Sequence, residues 1–230
     1  MINPKLHKWR SYLSKIISIE SAVSLINDGD TIMVGGFMAN GTPEKIIDAL
    51  VKSNKKNLTL ICNDSGLPDK GVGKMVVNKQ FENIIASHIG LNKETGRQMS
   101  EGETQVDLVP QGTLIERIRA AGYGLGGILT KTGLGTLTEN NKEKIKIDGS
   151  EYLLEKPLFA DVALLYAHKV DKFGNMSYKG SENNFNNYMA SAAKVTIVET
   201  KNLLEIGEID PNQVVTPGIF VDYIIYGGDN

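Results

Sequence analysis

Asp28-Gly29-Asp30-Thr31-Ile32-Met33-Val34-Gly35-Gly36-Phe37-Met38-Ala39-Asn40-Gly41-Thr42-Pro43 is the stretch from which the fold can be read. Residues 31–34 are a short apolar run of the kind that forms a strand buried on both faces. Thr42, Pro43 and Glu44 then open a helix, since proline suits a first turn whose N–H groups have no intrahelical partner. Gly35, Gly36 and Gly41 lie between strand and helix. Glycines there reach positive φ and let another molecule approach the backbone, and the free N–H groups of the helix's first turn point to the same place. The segment predicts a strand, a glycine loop and a helix start arranged as an anion site.

Outward from this unit, Ser18 is placed to cap a helix running to Ile26, which the Asn27-Asp28-Gly29 turn ends. The helix opened at Pro43 runs to Lys52. Residues 58–62 and 84–89 read as further buried strands, with Asn63, Asp64, Ser65, Gly66 and Pro68 forming a polar loop after the first. Residues 105–109 are another strand, stopped by Pro110, and 112–121 have helical spacing with Leu114, Ile115 and Ile118 on one face. Asp148-Gly149, between 144–147 and 151–154, is a hairpin turn. Later strands are expected over 161–166, 194–198 and 220–226, with a helix over 184–193. No repeat, linker or low-complexity tract is visible.

This rhythm predicts an α/β fold: a mostly parallel open sheet with flanking helices, right-handed crossovers and one antiparallel hairpin excursion. A single domain over residues 1–230 accommodates it. Ligands of such sheets bind beyond the carboxyl ends of the strands, which brings three polar loops together: residues 35–41, 63–66 and 111–112.

Composition narrows the function. The chain carries 25 Lys and Arg against 27 Asp and Glu, so no whole-chain field draws nucleic acid or an acidic membrane. Cys62 is the only cysteine, which excludes an intrachain disulfide and a thiolate-rich metal cluster and fits a reducing cytoplasm. No apolar stretch approaches the roughly 20 residues that span a bilayer. Residues 1–19 hold Lys5, Lys8, Arg10 and Lys15 without an acid but lack the Arg and Ser richness of a transit peptide. With Leu6, Trp9 and Leu13 on one helical stripe, residues 1–17 read as an N-terminal extension that packs as an arm.

Several chemistries lack their residues. Gly122, Gly124 and Gly127 satisfy G-x-G-x-x-G, but they follow a predicted helix, whereas dinucleotide binding needs the turn from strand to helix. His7, His88 and His168 have no metal-ligand spacing and read as structural or surface residues. No G-x-S-x-G elbow and no Walker lysine follow the glycine loop. Glu182, in Ser181-Glu182-Asn183, could be an activated carboxylate nucleophile or a solvated acid near a helix start.

Taken together, these residues resemble the alpha subunit of family I coenzyme A transferases, in particular its acetate/acetoacetate and butyrate-acetoacetate members. The likeness rests on Asp28-Gly29 followed by Ile32-Met33-Val34-Gly35-Gly36-Phe37 and Gly41-Thr42-Pro43. Further blocks are Ala86-Ser87-His88-Ile89-Gly90, Pro110-Gln111-Gly112-Thr113-Leu114-Ile115-Glu116, residues 130–135, Asn184-Phe185-Asn186 and Thr216-Pro217-Gly218. The resemblance implies a sheet of the type shared with ribose-phosphate isomerases and glucosamine-phosphate deaminases, and a partner beta subunit in an α2β2 assembly. It implies that a glutamate of that partner attacks an acyl-CoA and carries CoA, as a glutamyl thioester, to a short-chain carboxylic acid. Coenzyme A is then a co-substrate, and no metal or permanently bound cofactor takes part.

By the same resemblance Gly35, Gly36, Phe37, Met38, Ala39, Asn40 and Gly41 face CoA and the reacting centre, Asn63 and Asp64 are the polar pair beside it, and Gln111 is the oxyanion donor. The family's nucleophile motif, Ser-Glu-Asn-Gly, belongs to the beta subunit. Here Asn184 stands in place of its glycine, and Glu182-Asn183 stands where alpha relatives carry Ala-Arg, so Glu182 is not assigned the nucleophile's role. Gly126-Gly127-Ile128, where succinyl-type members favour Pro-Ala-Phe, points to the short-chain branch. Two rivals are a stand-alone sugar-phosphate isomerase or deaminase, which would need a phosphate clamp that no Lys or Arg cluster supplies, and an effector-sensing domain.

Overall fold

The computed structural model describes residues 14–228. The amphipathic stripe of Leu6, Trp9 and Leu13, together with His7, lies outside them.

Seven parallel strands form the central sheet, in the order β13-β11-β8-β1-β2-β3-β4. These are β1 (Thr31–Val34), β2 (Leu58–Asp64), β3 (Phe81–His88), β4 (Gln105–Leu108), β8 (Ala160–Tyr166), β11 (Ala193–Thr200) and β13 (Tyr223–Tyr226). Its helices are α1 (Ile19–Ser24), α2 (Glu44–Ser53), α3 (Gly73–Val77), α4 (Lys93–Ser100), α5 (Gln111–Gly122) and α6 (Asn186–Met189). Along β1, Ile32 and Val34 face one core while Met33 faces the other, and β2 and β8 alternate in the same way. Both faces are buried because helices cover both, which is why these strands read as continuous apolar runs. Cys62 packs in the first core as a small hydrophobe, its thiol pushed well up by burial and by Asp64 beside it.

The hairpin expected at Asp148-Gly149 forms from β6 (Lys144–Ile147) and β7 (Ser150–Glu155), and β5 (Ile128–Thr130) adds a third antiparallel strand. A second small sheet, β10-β9-β12, was not foreseen. Its strands, β9 (Lys169–Asp171), β10 (Met176–Ser177) and β12 (Leu203–Leu204), are too short to show a period. Residues 15–17 join the body through β13: Ile224 N–H donates to Lys15 O (2.8 Å) and Ile17 N–H to Ile224 O (3.1 Å).

Three expectations need correction. The helix read over 184–193 shrinks to the single turn of α6, because its asparagines hydrogen-bond elsewhere and Ala193 already pairs with Ala160 in the sheet. Phe220 belongs to a 3₁₀ turn, so the last strand begins at Tyr223. Asn63 and Asp64 end β2 rather than starting the polar loop, so the sheet itself holds them.

The helix expected after Thr42-Pro43 forms as α2, but no side chain of its own N-terminal residues caps it. The cap comes from 153 residues downstream: buried Glu199, near the carboxyl end of β11, accepts from Ile46 N–H (3.0 Å) and Lys45 N–H (3.3 Å). A carboxylate at a helix N-terminus is favourable, and here it closes the anion site expected at α2.

Burial raises the Glu199 carboxyl above its usual range, while the bonds from Ile46 and Lys45 pull the other way. The folded chain therefore keeps this proton where the unfolded carboxyl, with a pKa of about 4.3, has lost it. Stability from this group falls as pH rises from about 4.3 through the raised value. Glu199→Gln, which retains an acceptor and cannot ionise, should flatten that slope in thermal melts taken across pH; equal slopes in both proteins would refute it. Glu199→Leu should destabilise by about 2 kcal/mol at pH below about 4.3, because two N–H groups lose their acceptor, and by less as pH rises through the raised value.

Candidate functional site

At the carboxyl ends of β1 and β2 the chain makes the same turn twice. Phe37 and Asn40 pair with each other, each N–H donating to the other's carbonyl at 2.9 Å, and Lys70 N–H donates to Leu67 O at 3.2 Å. Each turn is bracketed by glycines five residues apart, Gly36 with Gly41 and Gly66 with Gly71, all at positive φ. The sequence shows this local repeat only as a glycine spacing, because Phe37-Met38-Ala39-Asn40 and Leu67-Pro68-Asp69-Lys70 share no residue.

The first turn is strained. Met38 (φ 50°) and Ala39 (φ 65°) both occupy the left-handed region, which costs a non-glycine residue free energy unless its surroundings hold it there. Three ties do so. Asp64, buried at the end of β2, accepts from Met38 N–H through Oδ2 and from Gly66 N–H through Oδ1, both at 2.9 Å, and so staples the two turns together. Asn40 Nδ2 donates to Ser181 Oγ (2.5 Å). Asn186 Nδ2 donates to Gly41 O (2.8 Å).

Two of the glycines are dictated by side chains that fill the space of a Cβ. A Cβ on Gly35 would stand 1.8 Å from Asn186 Oδ1, and one on Gly36 would stand 2.0 Å from Thr42 Oγ1. Thr42 is buried under the loop rather than capping α2. Phe37 and Met38 at the tip remain exposed, at 37% and 50%. Between the two turns lies a cleft lined by Gly35, Gly36, Ala39, Thr42, Asp64 and Gly66, with room for about one water.

Gln111 is the first residue of α5 and is exposed. Its Nε2 donates to Asn63 Oδ1 (2.8 Å), which also lies 3.1 Å from the Ser87 hydroxyl. An acceptor facing Nε2 fixes which way the Gln111 amide points and leaves its second N–H for another oxygen. No side chain caps α5, and its first intrahelical bond runs from Leu114 N–H to Pro110 O (2.8 Å). Its opening N–H groups therefore stay available, and this helix N-terminus can meet an anion.

The residues expected at the site thus fall into two linked sets. Residues 35–41 join Asp64, and Gln111 joins Asn63, the two sets meeting where Asn63 and Asp64 adjoin in β2. Sequence reasoning missed Glu199 and the tie made by Asn186. Glu182 has structural uses: its Oε2 accepts from Lys179 N–H (2.9 Å) and lies 3.6 Å from His168 Nδ1, and its carbonyl accepts from Asn186 Nδ2 (2.8 Å). Gly122 ends α5 and Gly124 and Gly127 follow it, so the dinucleotide reading lacks its strand as expected. No described helix is long and apolar enough to cross a membrane.

Known proteins share this architecture and sequence. The chain is 54% identical over 212 residues to the acetoacetyl-CoA:acetate/butyrate CoA transferase alpha subunit of Clostridium acetobutylicum, covering 92% of this chain and 97% of that one. It is 50% identical to the acetate CoA-transferase subunit alpha of Escherichia coli, covering 92% and 96%. Among solved structures, an acyl-CoA transferase of Escherichia coli O157:H7 superposes with a TM-score of 0.81 at 20% identity, covering 93% of this chain. This chain spans 47% of the length of that one. With residues 16–227 matching the family model described as coenzyme A transferase, the chain belongs to the coenzyme A transferase family.

Proposed function

We propose that this chain is the alpha subunit of a heteromeric, cytoplasmic transferase that moves CoA between a short-chain acyl-CoA and a carboxylic acid. It supplies a binding and oxyanion-stabilising half-site, and a beta subunit supplies the nucleophile in an α2β2 assembly. The relatives at 54% and 50% identity are named as alpha subunits of transferases for acetate and for acetoacetyl-CoA with acetate or butyrate, which supports both the reaction and the partner. A structural neighbour of about twice this length supports a second unit as well.

The observation that carries the reading is the Gln111 amide, oriented by Asn63 at an uncapped helix N-terminus beside the stapled glycine loop. In the reaction a glutamate carboxylate of the partner attacks the acyl-CoA carbonyl, the C–S bond breaks, and an acyl-glutamyl anhydride and CoA thiolate form. The thiolate then attacks the glutamyl carbonyl and releases the acyl group as its carboxylate, leaving a glutamyl-CoA thioester. The same two steps in reverse, with a different acid, deliver the CoA. Every step passes through a tetrahedral oxyanion, so a donor held in place beforehand stabilises each of them. Gln111 Nε2–H and the first N–H groups of α5 are such donors. Residues 35–41, with the exposed Phe37 and Met38, form the wall that CoA lies against.

Coexpressed with a beta-type subunit, the chain should convert acetoacetyl-CoA and acetate to acetyl-CoA and acetoacetate, and alone it should not. Robust turnover by the isolated chain, abolished in Glu182→Gln, would overturn the two-subunit reading.

In the complex, Gln111→Ala should lower kcat by about 10²- to 10³-fold, the loss seen when one oxyanion donor is removed. Glu182→Gln should cost less than about tenfold, against ~10⁶-fold for loss of a nucleophile.

A further inference from the structure

Asn186 is a wholly buried amide at the start of a one-turn helix, and all its hydrogen-bonding groups are used across three segments. Its Oδ1 accepts from Tyr166 N–H (3.1 Å) at the end of β8. Its Nδ2 spends one hydrogen on Gly41 O and the other on Glu182 O, both at 2.8 Å. The same amide occupies the place of a Cβ on Gly35. It therefore touches the glycine loop at both ends, six residues apart, while the strained Met38 and Ala39 lie between.

We infer that Asn186 is the positioning residue that sets the spacing of the two ends of the loop, and through it the direction in which the loop backbone meets the thioester. The inference rests on the CoA-transferase reading of the site. The physical reason is that the loop's own bonds close only its tip, between Phe37 and Asn40. Asp64 holds the middle at Met38, and Asn40 reaches Ser181. The Gly41 carbonyl, where the loop enters α2, depends on the Asn186 amide, and aspartate of the same shape could not serve it. An ionised carboxylate would face the carbonyl oxygens of Gly41 and Glu182 without a proton to donate. Only its neutral form would return one donor.

The test is the complex with its beta subunit carrying Asn186→Asp. Assembly and KM for acyl-CoA should stay near those of the wild type, while kcat falls by about 10²-fold, the loss expected from a 1 Å misplacement of a reacting group. The deficit relative to the wild type should shrink as pH falls, because burial favours the neutral acid. Hydrogen exchange over residues 35–42 and at the Tyr166 amide should quicken in the variant at neutral pH. Gly35→Ala, which displaces the Asn186 amide without burying a charge, should give the same selective loss of kcat even if the aspartate variant does not fold. The double variant Gly35→Ala/Asn186→Ala should relieve the clash without restoring kcat.

An assembled Asn186→Asp or Gly35→Ala complex with wild-type kcat would overturn the inference, as would full turnover in the double variant. If the wild-type complex fails to transfer CoA, the functional reading falls, and hydrogen exchange alone still decides whether Asn186 holds the loop.

Discussion

Gly35 can have no side chain because the Asn186 carboxamide stands where its Cβ would be, and much of the site depends on that close approach. It lets one buried amide reach the end of β8, the start of α2 and the segment around Glu182 at once. A buried amide that left any of its groups unpaired would cost free energy, so all of its partners are specified together. The strained turn at Met38 and Ala39 can persist because its surroundings, Asp64, Ser181 and Asn186, over-determine it.

Among the helix N-termini near the carboxyl ends of the central strands, those of α2 and α5 are in opposite electrostatic states. At α2 the dipole meets a carboxylate of the chain itself, Glu199, so that helix serves as an anchor for the loop before it. At α5 no side chain takes that place, and Gln111 stands exposed beside it. Of these two N-termini, that of α2 is closed by the chain's own carboxyl group and that of α5, after β4, is left open.

Much of the architecture was legible because it rests on short-range signals. The apolar runs at 31–34 and 58–62 announced strands buried on both faces, and Asp148-Gly149 announced its hairpin. Gln111, expected in a polar loop ahead of a helix over 112–121, is instead the first residue of that helix, while the refusal of the dinucleotide motif followed from the helix before it. The short strands β9, β10 and β12 escaped because two or three residues carry no period. The helix expected over 184–193 shortens because Asn184 and Asn186 bind Ser181 and Gly41 instead, partners that nothing local announces.

The order of strands and loops along the chain, the glycines at 35, 36 and 41, and the family blocks were matters of local sequence, where neighbouring residues decide φ, ψ and burial period. What caps α2, what fills the space beside Gly35, and which way the Gln111 amide points were decided by Glu199, Asn186 and Asn63. These residues lie between 48 and 154 positions from the groups they bind at Gln111, Gly41, Ile46 and Lys45. Such contacts leave no periodic mark, because each is one side chain brought to one backbone group by the packing of strands distant in sequence. Only the folded sheet, which sets the ends of β1, β2, β8 and β11 at one edge, brings them together.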